Sequence, residues 1–239
     1  MDNYNHSFHT WDKLAEEYEN KFMDLDLYND TYDLFCQKIG VPQAKILEIA
    51  CGPGNISKYL FGKREDFIID GFDVSPNMIQ LAKKNIPTGH FWLLDCRELH
   101  LLKKIYDGII CGFCLPYLSK EDVEKLIKDC SNLLSHNGLL YISTIEGDYN
   151  NSNYEFSSSG QEFMYVYQHQ ADYLSKYFIT NGFSNPTLIR KYYPKSNGIK
   201  DTHLIMIAQK KINSLTLNFS NRCAGNRKKQ LKMLCSKLL

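Results

Sequence analysis

From Ile46 to Ser57 the chain reads Ile-Leu-Glu-Ile-Ala-Cys-Gly-Pro-Gly-Asn-Ile-Ser, with one carboxylate, Glu48, and neither Lys nor Arg. Gly52 and Gly54 permit backbone angles and close approaches that a Cβ forbids, which suits a turn pressed against a ligand. A pyrophosphate would want a third glycine at the helix start and no anion nearby, yet Ser57 stands where that glycine would be and Glu48 lies inside the motif. The pattern suits a ligand that carries an adenosine, no phosphates and a positive charge of its own. A second acid, Asp73, follows Gly54 by nineteen residues and closes another apolar run. A carboxylate at such a strand end can accept from both ribose hydroxyls. S-adenosylmethionine, with its ammonium, sulfonium and single carboxylate, meets these conditions.

The elements that must hold these groups follow from patterning. Residues 44–50 form an apolar, partly β-branched run of the kind buried on both faces of a sheet, and a helix can start at Asn55 with its first amides aimed at the turn. Phe67–Asp73, His90–Leu94 and Tyr106–Gly112 read as further strands, and Leu139–Thr144 follows a turn over Ser135–Gly138. Ser75, with Pro76 after it, caps one helix, Asp95 can cap the next segment, and Ser119 with Asp122 opens another. In residues 1–40 Thr10 is the expected N-cap of a helix presenting Trp11, Leu14, Ala15, Tyr18 and Phe22 on one face. Residues 146–161 turn polar and read as a long loop or lid, followed by a helix through Ala171, Leu174 and Phe178 that ends at Asn181-Gly182. Phe183 onward and His203–Ala208 supply the last strands.

Taken together these segments resemble the Rossmann-like S-adenosylmethionine-dependent methyltransferases over roughly residues 10–210. The family's first motif, acid-x-Gly-x-Gly-x-Gly, is matched by Glu48, Ala50, Gly52 and Gly54, with alanine for the first glycine, and Asp73-Val74-Ser75 with Met78 matches the second. The resemblance implies a doubly wound α/β fold: a seven-stranded, mostly parallel sheet with an antiparallel edge hairpin and helices on both faces. It divides the chain into a helical cap at 1–40, a cofactor-binding domain at 41–210 and a basic tail at 211–239. It also implies cofactor contacts from Glu48, Ala50, Cys51, Gly52, Gly54 and Asn55 at the turn, and from Val74 and Met78 beside the adenine. Asp95 would accept from the adenine amino group and Cys96 would offer a backbone amide, with Gly112 and Phe113 beside the transferred methyl. Trp-Asp-Lys-Leu-Ala-Glu-Glu-Tyr resembles the family's N-terminal segment, whose aromatic, here Tyr18, closes over the methionine end.

The acceptor is constrained more weakly. Residues 1–201 hold twenty basic against 27 acidic side chains, about −7, because every acid precedes Lys210 while eight of the 28 bases lie at or after it. An acidic body argues against nucleic acid, and Cys114-Leu115-Pro116-Tyr117 lacks the polar residue that nucleic-acid amino methyltransferases place there. A small-molecule acceptor is expected, with Trp11, Tyr117, Tyr167 and His169 as substrate-side candidates; Tyr117, Tyr167 and His169 are the possible bases, and no catalytic residue is assigned. Cys111 and Cys114 could be a redox pair or half a zinc site, but no second ligand pair of that spacing exists, and no metal is expected. No apolar run reaches membrane-span length and no signal-peptide pattern opens the chain, which points to a cytoplasmic monomer or homodimer without a membrane partner. Arg227–Leu234 could form a short basic amphipathic helix or belong to an unstructured extension. The rival readings are a protein that binds S-adenosylmethionine without turnover and an NAD-dependent oxidoreductase.

Overall fold

A computed structural model describes residues 3–157, 162–195 and 198–211; the basic tail expected at 211–239 lies, apart from Lys211, outside the described residues. The strands are β1 (Lys45–Ile49), β2 (Ile68–Asp73), β3 (His90–Leu93), β4 (Tyr106–Cys111), β5 (Leu134–Ile145), β6 (Asn153–Phe156), β7 (Phe163–Val166), β8 (Thr187–Pro194) and β9 (Lys200–Gln209). The helices are α1 (Asn3–Lys13), α2 (Ala15–Phe22), α3 (Asn29–Lys38), α4 (Asn55–Lys63), α5 (Pro76–Asn85), α6 (Lys120–Leu133) and α7 (Ala171–Thr180). Seven strands form one sheet in the order β3-β2-β1-β4-β5-β9-β8, parallel except for the β5/β9 and β9/β8 pairings. Strand order reverses between β1 and β4, where an open α/β sheet leaves its crevice.

The central strands are apolar on both sides because both faces are covered. Ile46, Leu47 and Ile49 of β1 are fully buried. One face packs with Val123, Leu126, Ile127, Cys130 and Leu133 of α6 and Leu174 and Phe178 of α7; the other packs with Tyr32, Phe35 and Cys36 of α3 and Ile56 and Leu60 of α4. Each fully buried Leu, Ile or Phe contributes about 1.5–3 kcal/mol relative to exposure. The α6 set recurs at three- and four-residue spacing, and Ser119 caps that helix by accepting from the Asp122 N–H at 3.2 Å. Cys111, Cys114 and Cys130 lie within this core, where a thiol acts as a small hydrophobe.

Three local expectations change. The N-terminal helix begins at Asn3, not after Thr10, and breaks at Leu14, whose φ of −91° and ψ of 12° leave the helical region. Thr10 is no cap: its hydroxyl donates to the Phe163 carbonyl of β7 at 3.0 Å, and Ser7 accepts from the Tyr165 N–H at 3.0 Å, so α1 is fastened along β7. The polar stretch after Glu146 contains a β6/β7 hairpin that pairs Tyr154 with Tyr165 and Phe156 with Phe163. Ser135–Gly138 is absorbed into β5 rather than forming a separate turn, with Asn137 at φ 64° and a register shift against β4.

Candidate active site

The crevice at the C-terminal ends of β1 and β4 holds a cavity of about 270 Å³, and its floor is the glycine turn. Ala50, Gly52 and Gly54 all have positive φ, at 52°, 52° and 86°. Alanine tolerates this poorly, so the crest of the turn is strained. At Gly54 a Cβ would also come within 2.4 Å of Ile86 Cδ1, which is why the turn packs closely on α5.

Two carboxylates face the turn. Glu48, 1% exposed, accepts from the Ser57 N–H at 3.0 Å and from the Ser57 hydroxyl. Burial pushes its pKa up to about 8, against the lowering effect of the Ser57 contacts, with Asp73 adding to the rise. Asp73 accepts from the Gly52 N–H through Oδ2 and from the Ser75 N–H through Oδ1, each at 2.9 Å. Burial also raises its pKa despite those amides. Neither Lys nor Arg lines the cavity among the described residues. A cation entering here therefore meets two carboxyl groups and no competing positive side chain, whereas a pyrophosphate meets only repulsion or indifference.

The roof is aromatic and comes from α1 and α2. Trp11 meets Tyr18 edge-to-face at 5.3 Å and Tyr117 at 5.8 Å. Asp12 ties this roof to α5: it accepts from the Ser75 hydroxyl at 2.5 Å and the Asn77 N–H at 3.1 Å. Ser75 in turn caps α5 by accepting from the Met78 N–H at 3.0 Å. Asn85 donates to Glu19 of α2 at 2.6 Å and to the Pro53 carbonyl of the turn at 2.9 Å. Roof, Asp73 and glycine turn are thus one connected unit.

Of the residues expected at a cofactor, Tyr18, Glu48, Ala50, Gly52, Asn55, Asp73, Val74, Met78, Cys96, Gly112 and Phe113 line the cavity. Cys51 is buried beneath it, its N–H donating to the Phe72 carbonyl at 2.9 Å, and Gly54 serves helix packing. Asp95 is off the wall, which there consists of Leu94 and Cys96. Its oxygens are taken by the Arg97 N–H at 2.8 Å, the Arg97 guanidinium at 2.7 Å and the Tyr4 hydroxyl at 3.1 Å.

On the substrate side, Trp11 and Tyr117 line the cavity, but Tyr167 and His169 do not. Tyr167 stacks on Tyr149 at 5.6 Å. His169 is fully buried, with Nδ1 at 2.5 Å from the Tyr173 hydroxyl and Nε2 donating to the Leu115 carbonyl at 2.9 Å. Both ring nitrogens are occupied, and burial pulls its pKa down to about 4. It joins α7 to the segment after β4 and is not placed to take a substrate proton. Tyr117 stays protonated, since burial and then Tyr18 raise its pKa.

Sequence reasoning missed a second group of wall residues: Tyr4, Ser7 and Phe8 of α1, Tyr28, Tyr193 of β8, and Asp201 and His203 of β9. The spacing Tyr4, Ser7, Phe8, Trp11 is a helical stripe and could have signalled the earlier helix start. Nothing local marks His203, because β9 is brought to the crevice only by its pairing with β5, where His203 lies opposite Ile145.

Comparison with known proteins gives a consistent picture. A methyltransferase domain matches residues 46–138, from β1 into β5. The demethylmenaquinone methyltransferase of Thermotoga maritima is 27% identical over 143 residues, 57% of this chain and 60% of that protein. A ubiquinone biosynthesis O-methyltransferase of Coxiella burnetii is 26% identical over 133 residues, 54% of each chain. The chain thus spans less than two thirds of the length of these curated relatives. The magnesium protoporphyrin IX methyltransferase of Synechocystis, solved with bound S-adenosylmethionine, superposes with a TM-score of 0.65 at 16% identity, covering 88% of this chain and 98% of that one; it shares the fold. With the domain match running through the glycine turn, residues 46–138 carry a methyltransferase domain, on a fold shared with S-adenosylmethionine-dependent methyltransferases.

Proposed function

We propose that this chain transfers a methyl group from S-adenosylmethionine to a small, flat acceptor molecule. The observation that carries the reading is a cavity with one buried and one half-buried carboxyl group, a strained glycine turn and an aromatic roof, in which no Lys or Arg takes part among the described residues. The cofactor supplies a methyl carbon made electrophilic by its sulfonium, so the hard chemistry is its own. Asp73 would hold the ribose hydroxyls, and the turn with Glu48 and Asn55 the amino-acid end. Val74, Met78, Leu94 and Cys96 would flank the base. The protein then needs to align the acceptor and exclude water. Trp11, Tyr18 and Tyr117 do this from above, because α1 and α2 are fastened to α5 and β7 on either side.

A planar acceptor fits walls made largely of rings. The curated relatives named above carry the names of quinone-pathway methyltransferases, which supports the same class. Incubation with methyl-labelled S-adenosylmethionine and a panel of phenols, quinols and amines tests the reading. Label passing to at least one flat acceptor supports it. Tight cofactor binding with no transfer to any of the panel would favour the non-catalytic alternative.

A further inference from the structure

The cavity does not end at the methyl-transfer point. It continues across the sheet from β4 to β5, β9 and β8, and its far wall is Phe113, Ile145, His203 and Tyr193, with Tyr28 from the turn before α3. This side is opposite Asp73 and Leu94, which stand at the β2 and β3 ends, so it is the acceptor's side if the cofactor lies as proposed.

His203 is the one imidazole on the cavity wall among the described residues. It is 7% exposed, and its Nδ1 lies 2.6 Å from the Tyr28 hydroxyl. The ring lies nearly parallel to Tyr193, 5.2 Å away at 10°, and 4.7 Å from Phe113. Among the described residues no hydrogen bond reaches Nε2. A cavity-lining histidine held by Tyr28, Tyr193 and Phe113, with one nitrogen left without a hydrogen bond among the described residues, contrasts with His169, both of whose nitrogens are used.

Resting on the methyl-transfer reading, we propose that His203 Nε2 receives the proton of an aromatic hydroxyl on the acceptor, while Tyr28 positions the ring through Nδ1. As the acceptor oxygen forms its bond to the methyl carbon, the carbon–sulfur bond breaks with its electron pair going to sulfur. The oxygen's proton passes to Nε2 and then to solvent. One positive charge, the sulfonium, is lost as another, the imidazolium, forms, so the cavity's charge is conserved during the step. The groups facing the ring are Tyr28, Tyr193, Asp201 on the same strand, and Lys195, which pairs with Asp201 at 2.9 Å. Burial, the largest influence, and Lys195 lower the ring's pKa while Asp201 raises it, leaving it at about 4. The ring is therefore neutral near pH 7 and a weak base, so it takes the proton only as the oxygen–methyl bond forms and makes the oxygen's proton acidic.

The test compares two probes at about pH 6 on the full chain saturated with S-adenosylhomocysteine: 4-nitrophenol, which is protonated there and can donate to Nε2, and 4-nitroanisole, which cannot. The intact chain should prefer the phenol by about tenfold, the value of one well-made hydrogen bond. His203→Gln should bring the two probes within about threefold, and Tyr28→Phe should lower the preference part way. Both variants should keep the parent's S-adenosylhomocysteine affinity, which shows that they fold. A preference that survives His203→Gln is steric and overturns the proposal, as does failure of 4-nitrophenol to bind the loaded chain. Failure of the intact chain to bind S-adenosylhomocysteine would instead overturn the methyl-transfer reading on which the proposal rests.

Discussion

Replacing Glu48 by Gln should change how the chain's stability depends on pH, in a direction the structure fixes. Glu48 is buried and its folded pKa is about 8, against about 4.3 for an exposed glutamate. A raised carboxyl pKa stabilises the fold fully below the unfolded value, and that contribution fades as pH rises through the folded value. Between about pH 7 and about pH 5.5, Glu48 alone should then add about 2 kcal/mol. His169 and His203 work the other way: both have folded pKa values near 4. Each imidazole charges more readily in the unfolded chain, so each should remove about 1.2 kcal/mol over the same interval. The parent protein should consequently be almost equally stable at both pH values. Glu48→Gln keeps the two histidine costs and loses the carboxyl's gain, so acidification should destabilise the variant by about 2 kcal/mol more than the parent. Urea unfolding of both chains at the two pH values reads this double difference directly. Equal losses in parent and variant would mean that Glu48 is ionised in the folded chain, and the electrostatic description of the turn would be wrong.

The same carboxyl should report the charge of the ligand. A cation placed beside Glu48 draws out its proton, so S-adenosylmethionine binding near pH 7 should release close to one proton from the parent and close to none from Glu48→Gln; the buffer dependence of the calorimetric heat measures this. Ser75→Ala removes both the α5 cap and a donor to Asp12, and should cost about 1–2 kcal/mol while exposing α1 to faster limited proteolysis. His169→Ala leaves the Leu115 carbonyl and the Tyr173 hydroxyl without their partner. It should lower stability by about 2–4 kcal/mol in thermal unfolding yet leave S-adenosylhomocysteine affinity unchanged, which would separate its structural part from the role His203 is given.

The parallel half of the fold was legible because its signals are local. Apolar runs, a Ser-Pro helix start at Ser75 and the glycine turn each show within about ten residues, and all three appear where expected. The cavity wall around the glycine turn was legible for the same reason, since Glu48, Ala50, Gly52 and Asp73 stand at or beside strand ends. The acceptor side was not, because it is assembled from distant segments. His203 reaches the cavity only through antiparallel pairing with β5, and its partner Tyr28 lies 175 residues earlier. Asp95 shows a role that is legible locally: its capping of the next segment and its pairing with Arg97 are both visible within two residues. His169 drew attention as a lone histidine at a helix start, but only the packed structure shows Leu115 and Tyr173 occupying both its nitrogens.

The most direct test of the central claim is a calorimetric titration of the intact chain and of Asp73→Asn with S-adenosylmethionine, with NADH as a control. The account predicts binding of S-adenosylmethionine but not NADH by the intact chain. It also predicts a loss of about tenfold to a hundredfold in the variant, as expected for hydrogen bonds to a charged carboxylate. Equal affinity in parent and variant, or preference for NADH, would contradict it.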